Sequence, residues 1–348
     1  MLLSGKSSGY FVDINEYSTL VARTNSLATP LVVEKVEELP DLALAGLGTA
    51  LDSFAGPRRA GAYRHGVCGV APERRFIRRA SLEAKRAKDP NYLEEVLTTQ
   101  FRAEPDKMML TIHSAADGSS LDPAMAAGKE VVFCGSYSED FVTAQAGLLG
   151  AGFFPERLEL TSVATLGGLQ GLLARQAVQA PTLVLEIGRD TTHCYIVSPA
   201  GVDLARPIPH GINSMIPVAQ KELGLRDEEA ASRLLFSNTF DFTGMGPNMV
   251  KRLLKELQSS IGFFEVQTGQ SIGQLYCSLM PTSFTWLGST LAGALGVGQI
   301  QLDLKPWAEA QGIKFAPGVA DDGIPPSWLG LLSLMAKHQP SSTRHESK

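Results

Sequence analysis

Two short apolar runs in this chain each end in an acidic residue, and the residues after that acid follow a similar pattern. Tyr10–Val12 precedes Asp13, and Thr182–Leu185 precedes Glu186. In both places an isoleucine, a small turn-forming residue, polar residues and two adjacent hydroxyl residues follow the acid. An apolar run, a turn and a second β-rich run predict a β-hairpin. The same hairpin is therefore predicted twice, which favours a duplicated architecture.

Apolar spacing between and after these hairpins predicts alternating helices and strands. Helices are predicted over 42–54, 92–101, 141–150, 164–177, 214–223, 227–235, 248–264, 287–295 and 328–336, and strands over 66–70, 75–82, 108–113, 130–134, 157–160, 273–279 and 299–302. The order between 75 and 160 is strand, helix, strand, strand, helix, strand. This order predicts a compact α+β subdomain of the split-βαβ type, inserted into the first half of the chain.

Composition narrows the class of protein. The chain carries 31 basic and 36 acidic residues, and this formal charge of −5 argues against a general nucleic-acid binder. No stretch reaches 18 uninterrupted apolar residues, so no transmembrane helix is predicted, and the N-terminus has no apolar run of signal-peptide length. The four cysteines are far apart and the histidines lack metal-ligand spacing. A cytoplasmic globular protein without a metal site is predicted, and no catalytic residue is assigned.

The two turns carry the candidate chemistry. Successive backbone N–H groups in such a turn can wrap a phosphate, and an adjacent carboxylate can hold Mg²⁺ through water. The weak candidates for nucleotide binding are Asp13, Asn15, Ser18 and Thr19 in the first hairpin and Glu186, Gly188, Thr191 and Thr192 in the second. The alternative is that these are ordinary turn residues followed by β-branched strand residues.

Three segments of the second half, 186–192, 204–213 and 221–231, resemble the PilM family of actin-like proteins of type IV pilus assembly. Relatives of that family are FtsA and the cytoplasmic domain of GspL. The similarity runs along nearly the whole chain and includes residues 147–155 of the inserted segment. The order and spacing of these segments carry the resemblance, because each one alone is weakly specific.

The resemblance implies an α/β fold of the actin-like (ribonuclease H-like) type, with two lobes around a cleft and an inserted split-βαβ subdomain in the first lobe. The implied divisions are 1–71 and 161–180 for the first lobe, 72–160 for the insert, 181–218 and 265–336 for the second lobe, 219–264 for a helical subdomain, and 337–348 for a disordered tail. The tail prediction also follows from its lack of apolar residues.

The resemblance also implies ligands. The family binds ATP with Mg²⁺ in the cleft, with the residues of the two turns around the phosphates and Gly211 near the adenosine end. It also grips the N-terminal cytoplasmic peptide of an inner-membrane pilus protein, PilN, in a groove beside the extra subdomain. A PilN-like partner and a cytoplasmic location, peripheral to the inner membrane through that partner, are therefore expected. Self-association is left open.

The chain departs from the family at the phosphate end. Asn15 stands where the family has glycine, and Leu20 stands where it has lysine. Asparagine tolerates a positive φ but brings a side chain to where phosphate must approach closely. Losing the lysine removes a positive charge that could offset the polyphosphate. Glu186 replaces an aspartate, which keeps the charge and lengthens the side chain.

The nucleoside end departs further. Ala231 and Leu234 occupy the places of a glutamate and a lysine that touch the nucleoside in the family. The segment 279–282 contains a proline where the family has two adjacent glycines. A phosphate site without a base pocket is a poor ATP site.

Two functions follow from the matches and departures. The favoured hypothesis is a PilM-like scaffold of a type IV pilus or related secretion machine, with a degenerate nucleotide cleft and no efficient ATPase activity. The alternative is an active Mg-ATP-binding actin-like switch in the same machine. The basic run over 74–88 is interpreted either as a solvated strand edge and helix face or as a surface for an acidic peptide or anionic lipid.

Overall fold

The computed structural model describes residues 8–40, 44–57, 59, 61–86, 88–237 and 239–337. The chain divides into two compact units. Of the described residues, the first unit contains those within 8–72, 137–175 and 302–337, and the second contains those within 73–136 and 176–301. The tail predicted over 337–348 lies outside the described residues from 338 onward. In the part of the chain that the structure describes, every helix is too short or too polar to cross a bilayer.

The first unit is built on a six-stranded sheet with the order β14-β3-β2-β1-β4-β8. Its strands are β1 (Gly9–Ile14), β2 (Ser18–Thr24), β3 (Leu31–Pro40), β4 (Arg64–Val70), β8 (Phe153–Leu160) and β14 (Ile313–Phe315), and its helices are α1 (Leu44–Ala55), α3 (Ser138–Gly150), α4 (Thr161–Arg175), α10 (Leu304–Ala310) and α11 (Leu329–Lys337). Every residue of β1 is buried, as expected for a central strand that is covered on both faces. Helix α1 places Leu47 and Leu51 in the core beside Val12 of this strand.

The second unit contains a five-stranded sheet with the order β11-β10-β9-β12-β13. Its strands are β9 (Thr182–Ile187), β10 (Thr192–Ser198), β11 (Gly201–Ile208), β12 (Gln274–Leu279) and β13 (Gly298–Gln299), and its helices are α5 (Ile216–Leu223), α6 (Glu228–Phe236), α7 (Gly246–Met249), α8 (Lys251–Thr268) and α9 (Thr285–Leu295). Strand β9 is buried along its whole length, like β1.

Five strands of the first sheet and the five strands of the second sheet follow the same plan. In each sheet, the first strand (β1 or β9) pairs antiparallel with the second (β2 or β10) and parallel with the fourth (β4 or β12). The third strand (β3 or β11) pairs antiparallel with the second, and the fifth (β8 or β13) pairs parallel with the fourth. Both predicted hairpins, β1–β2 and β9–β10, are present at the same place in this plan. The repeat found in the sequence therefore corresponds to a repeated sheet topology.

A three-stranded sheet with the order β5-β7-β6 completes the second unit. Its strands are β5 (Phe76–Ser81), β6 (Met108–Ser114) and β7 (Glu130–Tyr137), with helix α2 (Tyr92–Glu95) beside them. Phe76, Tyr92 and Phe133 lie in its own hydrophobic core. We call residues 73–136 the inserted segment.

The boundaries of the insert differ from the predicted 72–160. The predicted order of strands and helices is present, but α3 and β8 belong to the first unit. Strand β8 pairs parallel with β4, and parallel neighbours need a helical crossover, which α3 provides. Only residues 73–136 interrupt that crossover.

The C-terminal region also differs from the predicted 265–336. Residues 302–337 pack in the first unit rather than with the second sheet. Strand β14 extends the first sheet by pairing parallel with β3, and α11 packs on α4. Gly168 of α4 permits this approach, because a Cβ there would lie 2.1 Å from Oγ of Ser333.

Candidate functional site

The first predicted turn satisfies its own backbone donors. The side-chain oxygen of Asn15 accepts hydrogen bonds from the backbone N–H of Tyr17 at 2.8 Å and of Ser18 at 3.0 Å. The N–H of Asn15 donates to the carbonyl of Ser18 at 3.1 Å. This is the asparagine turn that stabilises a reversal of the chain. Two N–H groups that could face a phosphate are thus bonded to Asn15.

The acid of the first turn is buried in its own unit. Asp13 is 3% exposed and accepts a hydrogen bond at 2.6 Å from Oγ1 of Thr161, at the start of α4. Gly330 of α11 packs against it, since a Cβ there would lie 2.5 Å from the carboxylate oxygen. Thr19 is fully buried, and its hydroxyl has no hydrogen-bond partner among the described residues.

The second predicted turn is bonded to the segment that contains Gly211. The N–H of Gly188 donates to the carbonyl of Thr191 at 3.0 Å, and the hydroxyl of Thr192 donates to the carbonyl of His210 at 2.7 Å. The N–H of Ile212 donates in turn to the carbonyl of Gly188 at 3.0 Å. A Cβ at Gly211 would lie 2.4 Å from that carbonyl, so only glycine fits there. The structure thus brings Gly211 directly against this turn.

Glu186, the acid of the second turn, forms a buried ion pair. Its carboxylate lies 3.0 Å from Nε of Arg75, whose side chain is fully buried. The same carboxylate oxygen accepts a hydrogen bond at 3.0 Å from the hydroxyl of Tyr195. Arg75 stands just before β5, so the charge that faces this acid comes from the inserted segment. A buried carboxylate held this way is stabilised by a guanidinium and a phenol.

Burial controls the ionisation of the groups around this pair. The pKa of Tyr195 is raised well above 10, mainly by burial and further by the charge of Glu186, so the phenol keeps its proton. The pKa of Arg78 is lowered to about 10, mainly by burial; Tyr195 opposes this shift, and the charge of Arg206 adds to it. Burial also lowers the pKa of His193 well below 6.5, with the charges of Arg75 and Arg78 adding to the effect.

His193 should make the protein sensitive to mild acid. Below about pH 6.5 the unfolded chain binds a proton at this position that the folded chain excludes. The free energy of unfolding should then fall by up to about 1.4 kcal/mol per pH unit from this group alone. In His193→Phe, which keeps a ring beside Tyr195, the fall should be less steep. Urea denaturation of both proteins between about pH 7.5 and 5 measures the two slopes.

The comparison of the two slopes decides whether the acid sensitivity belongs to His193. Equal slopes for the wild type and His193→Phe would contradict the assignment of the acid sensitivity to His193.

Aromatic side chains connect the loop after β12 with helix α6, near the positions that depart from the family at the nucleoside end. The rings of Phe284 and Phe236 lie 5.3 Å apart, and Phe284 is fully buried. Ala231 of the same helix is also fully buried. The guanidinium of Arg189, in the second turn, lies 5.3 Å from the ring of Phe236. These contacts join the turn, helix α6 and the loop after β12.

An open cavity of about 490 Å³ adjoins this aromatic cluster. Hydroxyl groups, one carboxylate and two aromatic rings line it: Thr239, Phe240, Asp241, Thr243, Ser283, Thr285, Trp286 and Ser289. This lining contains no basic side chain and therefore does not suit a polyphosphate. Across the described ranges, no cluster of three or more histidine, cysteine or acidic residues could hold a metal ion.

The basic run predicted over 74–88 does not form one solvated surface. Arg75 is buried at the ion pair, and Arg78 stacks at 4.9 Å on the ring of Phe76. Arg86 pairs with Asp89 and Glu95 at the protein surface. Both interpretations of this run are therefore wrong for Arg75. Arg75 instead pairs with Glu186, which is distant in sequence. No local sequence pattern reveals this contact.

No protein-family model matches the chain, and no curated protein matches it. Among solved structures, the chain is similar to a chain of the "PilM-PilN type IV pilus biogenesis complex", with 17% identity and a TM-score of 0.66 over 95% of this chain and 97% of that one. It is also similar to a Bacteroides thetaiotaomicron protein with an actin-like ATPase fold, with 8% identity and a TM-score of 0.46 over 96% and 99% of the two chains. The cytoplasmic domain of EpsL, an inner-membrane component of the type II secretion system of Vibrio cholerae, matches with 10% identity and a TM-score of 0.41 over 95% and 96%. The actin-like fold and the resemblance to PilM are thus confirmed at the level of the fold.

Proposed function

We propose that this protein is a PilM-like scaffold of a type IV pilus or related secretion machine. It lies in the cytoplasm, peripheral to the inner membrane, and binds the N-terminal cytoplasmic tail of a PilN-like membrane protein. The observation that carries this proposal is the match to a chain of the PilM-PilN complex from end to end of both chains, with a TM-score of 0.66. A pilus scaffold requires a surface for a partner and requires no chemistry.

We further infer that the scaffold works without Mg-ATP. The N–H groups of Tyr17 and Ser18 are already bonded to Asn15, so a phosphate must displace that side chain to reach them. The carboxylate of Glu186 is bonded to Arg75 and Tyr195, so a magnesium ion must displace a buried guanidinium. Both displacements weaken binding by the energy of the bonds they break. The residues present thus fit a Mg-nucleotide poorly.

The nucleoside end supports the same inference. In the family, a glutamate and a lysine on one helix touch the nucleoside, and here that helix carries the buried Ala231 and packs on Phe284 through Phe236. The guanidinium of Arg189 lies beside the same ring. Apolar contacts and one stacked cation therefore replace the polar groups that would recognise a ribose or an adenine.

A peptide-binding experiment with and without nucleotide tests both parts of the proposal. The probe is a fluorescently labelled peptide with the sequence of the N-terminal cytoplasmic tail of a PilN-like protein from the same organism. We expect a dissociation constant on the order of micromolar, unchanged within about twofold by millimolar Mg-ATP, because an effector without differential affinity shifts nothing. A scrambled peptide of the same composition is the control.

Two results contradict the proposal in different ways. Absence of tail binding removes the scaffold function. A change in tail affinity of about tenfold or more with Mg-ATP corresponds to a coupling energy of about 1.4 kcal/mol, and it would support the alternative, a nucleotide-driven switch.

A further inference from the structure

Two buried charges hold the inserted segment to the five-stranded sheet. Arg75 and Glu186 lie 111 residues apart in sequence and are both almost completely excluded from solvent. Either charge alone in this environment is strongly unfavourable, so each requires the other. Because Arg75 belongs to the inserted segment and Glu186 to β9, their pairing is favourable only while that segment is docked.

The hydroxyl of Tyr195 makes this pairing specific. It donates to the same carboxylate oxygen that faces Arg75, and its raised pKa keeps the proton in place. Tyr195 and Glu186 lie on the two antiparallel strands β10 and β9. The acid is therefore held by the neighbouring strand of the sheet as well as by Arg75.

A second contact fastens the inserted segment at the far end of the β10–β11 hairpin. The N–H of Val202 donates to the carbonyl of Ala115 at 2.8 Å. Gly201, at the hairpin turn, approaches Ala115 so closely that a Cβ would lie 2.0 Å from its carbonyl oxygen. Strand β5 also packs on β11. The segment is thus held to the five-stranded sheet at Glu186 of β9 and at the turn of the β10–β11 hairpin.

We propose that Arg75 is a built-in substitute for a bound cation at Glu186, and that the Arg75–Glu186 pair keeps the inserted segment docked on the five-stranded sheet. A carboxylate beside a phosphate-binding turn can hold Mg²⁺ through water. Here a guanidinium of the same chain neutralises the acid at all times. The inserted segment then stays docked on the five-stranded sheet without a bound metal ion. This inference rests on the proposed independence from Mg-ATP.

A double-mutant cycle with hydrogen–deuterium exchange tests the pair. In Arg75→Met and in Glu186→Gln, one partner is left alone, and amides of β5 should exchange at least about tenfold faster than in the wild type. In Arg75→Met/Glu186→Gln, both charges are gone, and slow exchange should largely return, because no uncompensated charge is left buried. If Arg75→Met fails to fold, the Glu186→Gln and double variants carry the comparison.

The control is Arg79→Met, in β5, the strand whose exchange is measured. Arg79 pairs with Glu130 at 2.8 Å, and their side chains are 32% and 46% exposed, so its loss should leave the exchange of β5 within about twofold of the wild type. Two results overturn the proposed docking role of the pair. In one, the increase in the exchange rate of β5 in the double variant equals the product of the increases in the two single variants. In the other, the single variants exchange like the wild type.

A magnesium titration tests the substitution for a cation. Millimolar MgCl₂ should raise the melting temperature of Arg75→Met, where Glu186 has lost its counter-charge, and should leave those of the wild type and the double variant unchanged. A rise in the wild type, or no rise in Arg75→Met, overturns this part of the inference. Hydrogen exchange and the melting temperature are measured separately from tail binding by the wild type. The inference about the Arg75–Glu186 pair can therefore fail while the proposed function stands.

Discussion

Replacing Gly201 by alanine is expected to lower the free energy of unfolding by about 3 kcal/mol or more. Its φ of +121° is a conformation that residues with side chains rarely adopt. The added Cβ would also lie 2.0 Å from the carbonyl oxygen of Ala115 and 2.6 Å from Cα of Ala116. These are backbone atoms, so no side chain can rotate away. Urea denaturation followed by circular dichroism measures the loss.

The structure offers a control that separates the two causes. Gly224 ends α5 with a φ of +61°, but a Cβ there would have open space around it. Gly224→Ala should therefore show only the backbone penalty, about 1–2 kcal/mol. Equal losses in the two variants would show that the close approach to Ala115 contributes nothing.

Gly201→Ala should also act locally. The clash lies at the carbonyl that accepts the hydrogen bond from Val202, so the inserted segment loses its attachment at the turn of the β10–β11 hairpin. Exchange of the amides near Ala115 should therefore accelerate more than exchange in β1, which belongs to the other unit.

Truncating Phe284 to alanine is expected to lower the free energy of unfolding by about 3–5 kcal/mol. The ring is fully buried and contacts Phe236 at 5.3 Å and Trp286 at 5.9 Å between ring centres. Removing it leaves a cavity between α6 and the loop after β12, and the remaining rings can fill that space only in part. Thermal and chemical denaturation give the size of the effect.

Phe240 is the matched control for Phe284. It belongs to the same aromatic cluster and packs at 4.8 Å on Phe242, but it is 40% exposed. Phe240→Ala should therefore lower the free energy of unfolding by only about 1 kcal/mol or less. A loss as large as that of Phe284→Ala would mean that the two rings contribute equally, which the difference in burial does not allow.

The local structure was largely predictable from the sequence. The hairpin residues around Asp13 and Glu186 and the long helix α8 follow from apolar periodicity and turn chemistry. Helix α8 starts at Lys251 and ends at Thr268, slightly later than predicted, where Gly269 adopts a left-handed conformation. Such signals act over a few residues, and these elements depend on little else.

The grouping of the elements was less predictable. The predicted strand at 157–160 is the end of β8, which pairs parallel with β4, and β14 pairs parallel with β3. Parallel pairing joins strands that are distant in sequence, and the apolar pattern of a strand does not identify its neighbour. For this reason the bounds of the insert and of the C-terminal region differ from the predicted ones.

The sequence identifies residues of the candidate site, but it does not predict all of the hydrogen bonds and ion pairs that they form. The sequence singles out Asn15 and Glu186 as departures from the family, and both prove to be bonded within the chain. That Asn15 bonds two amides of its own turn is a local property that asparagine often shows. That Glu186 meets Arg75 depends on how the inserted segment docks, which no single stretch of sequence encodes.

The shared strand order of the two sheets gives the bonds of Asp13 and Glu186 a historical meaning. If one ancestral unit was copied, these two acids began as equivalent residues in sister halves. Asp13 now accepts a hydrogen bond from the neutral hydroxyl of Thr161, whereas Glu186 pairs with the guanidinium of Arg75 from the inserted segment. Each half therefore now supplies its own partner for its acid, a hydroxyl in one half and a guanidinium in the other.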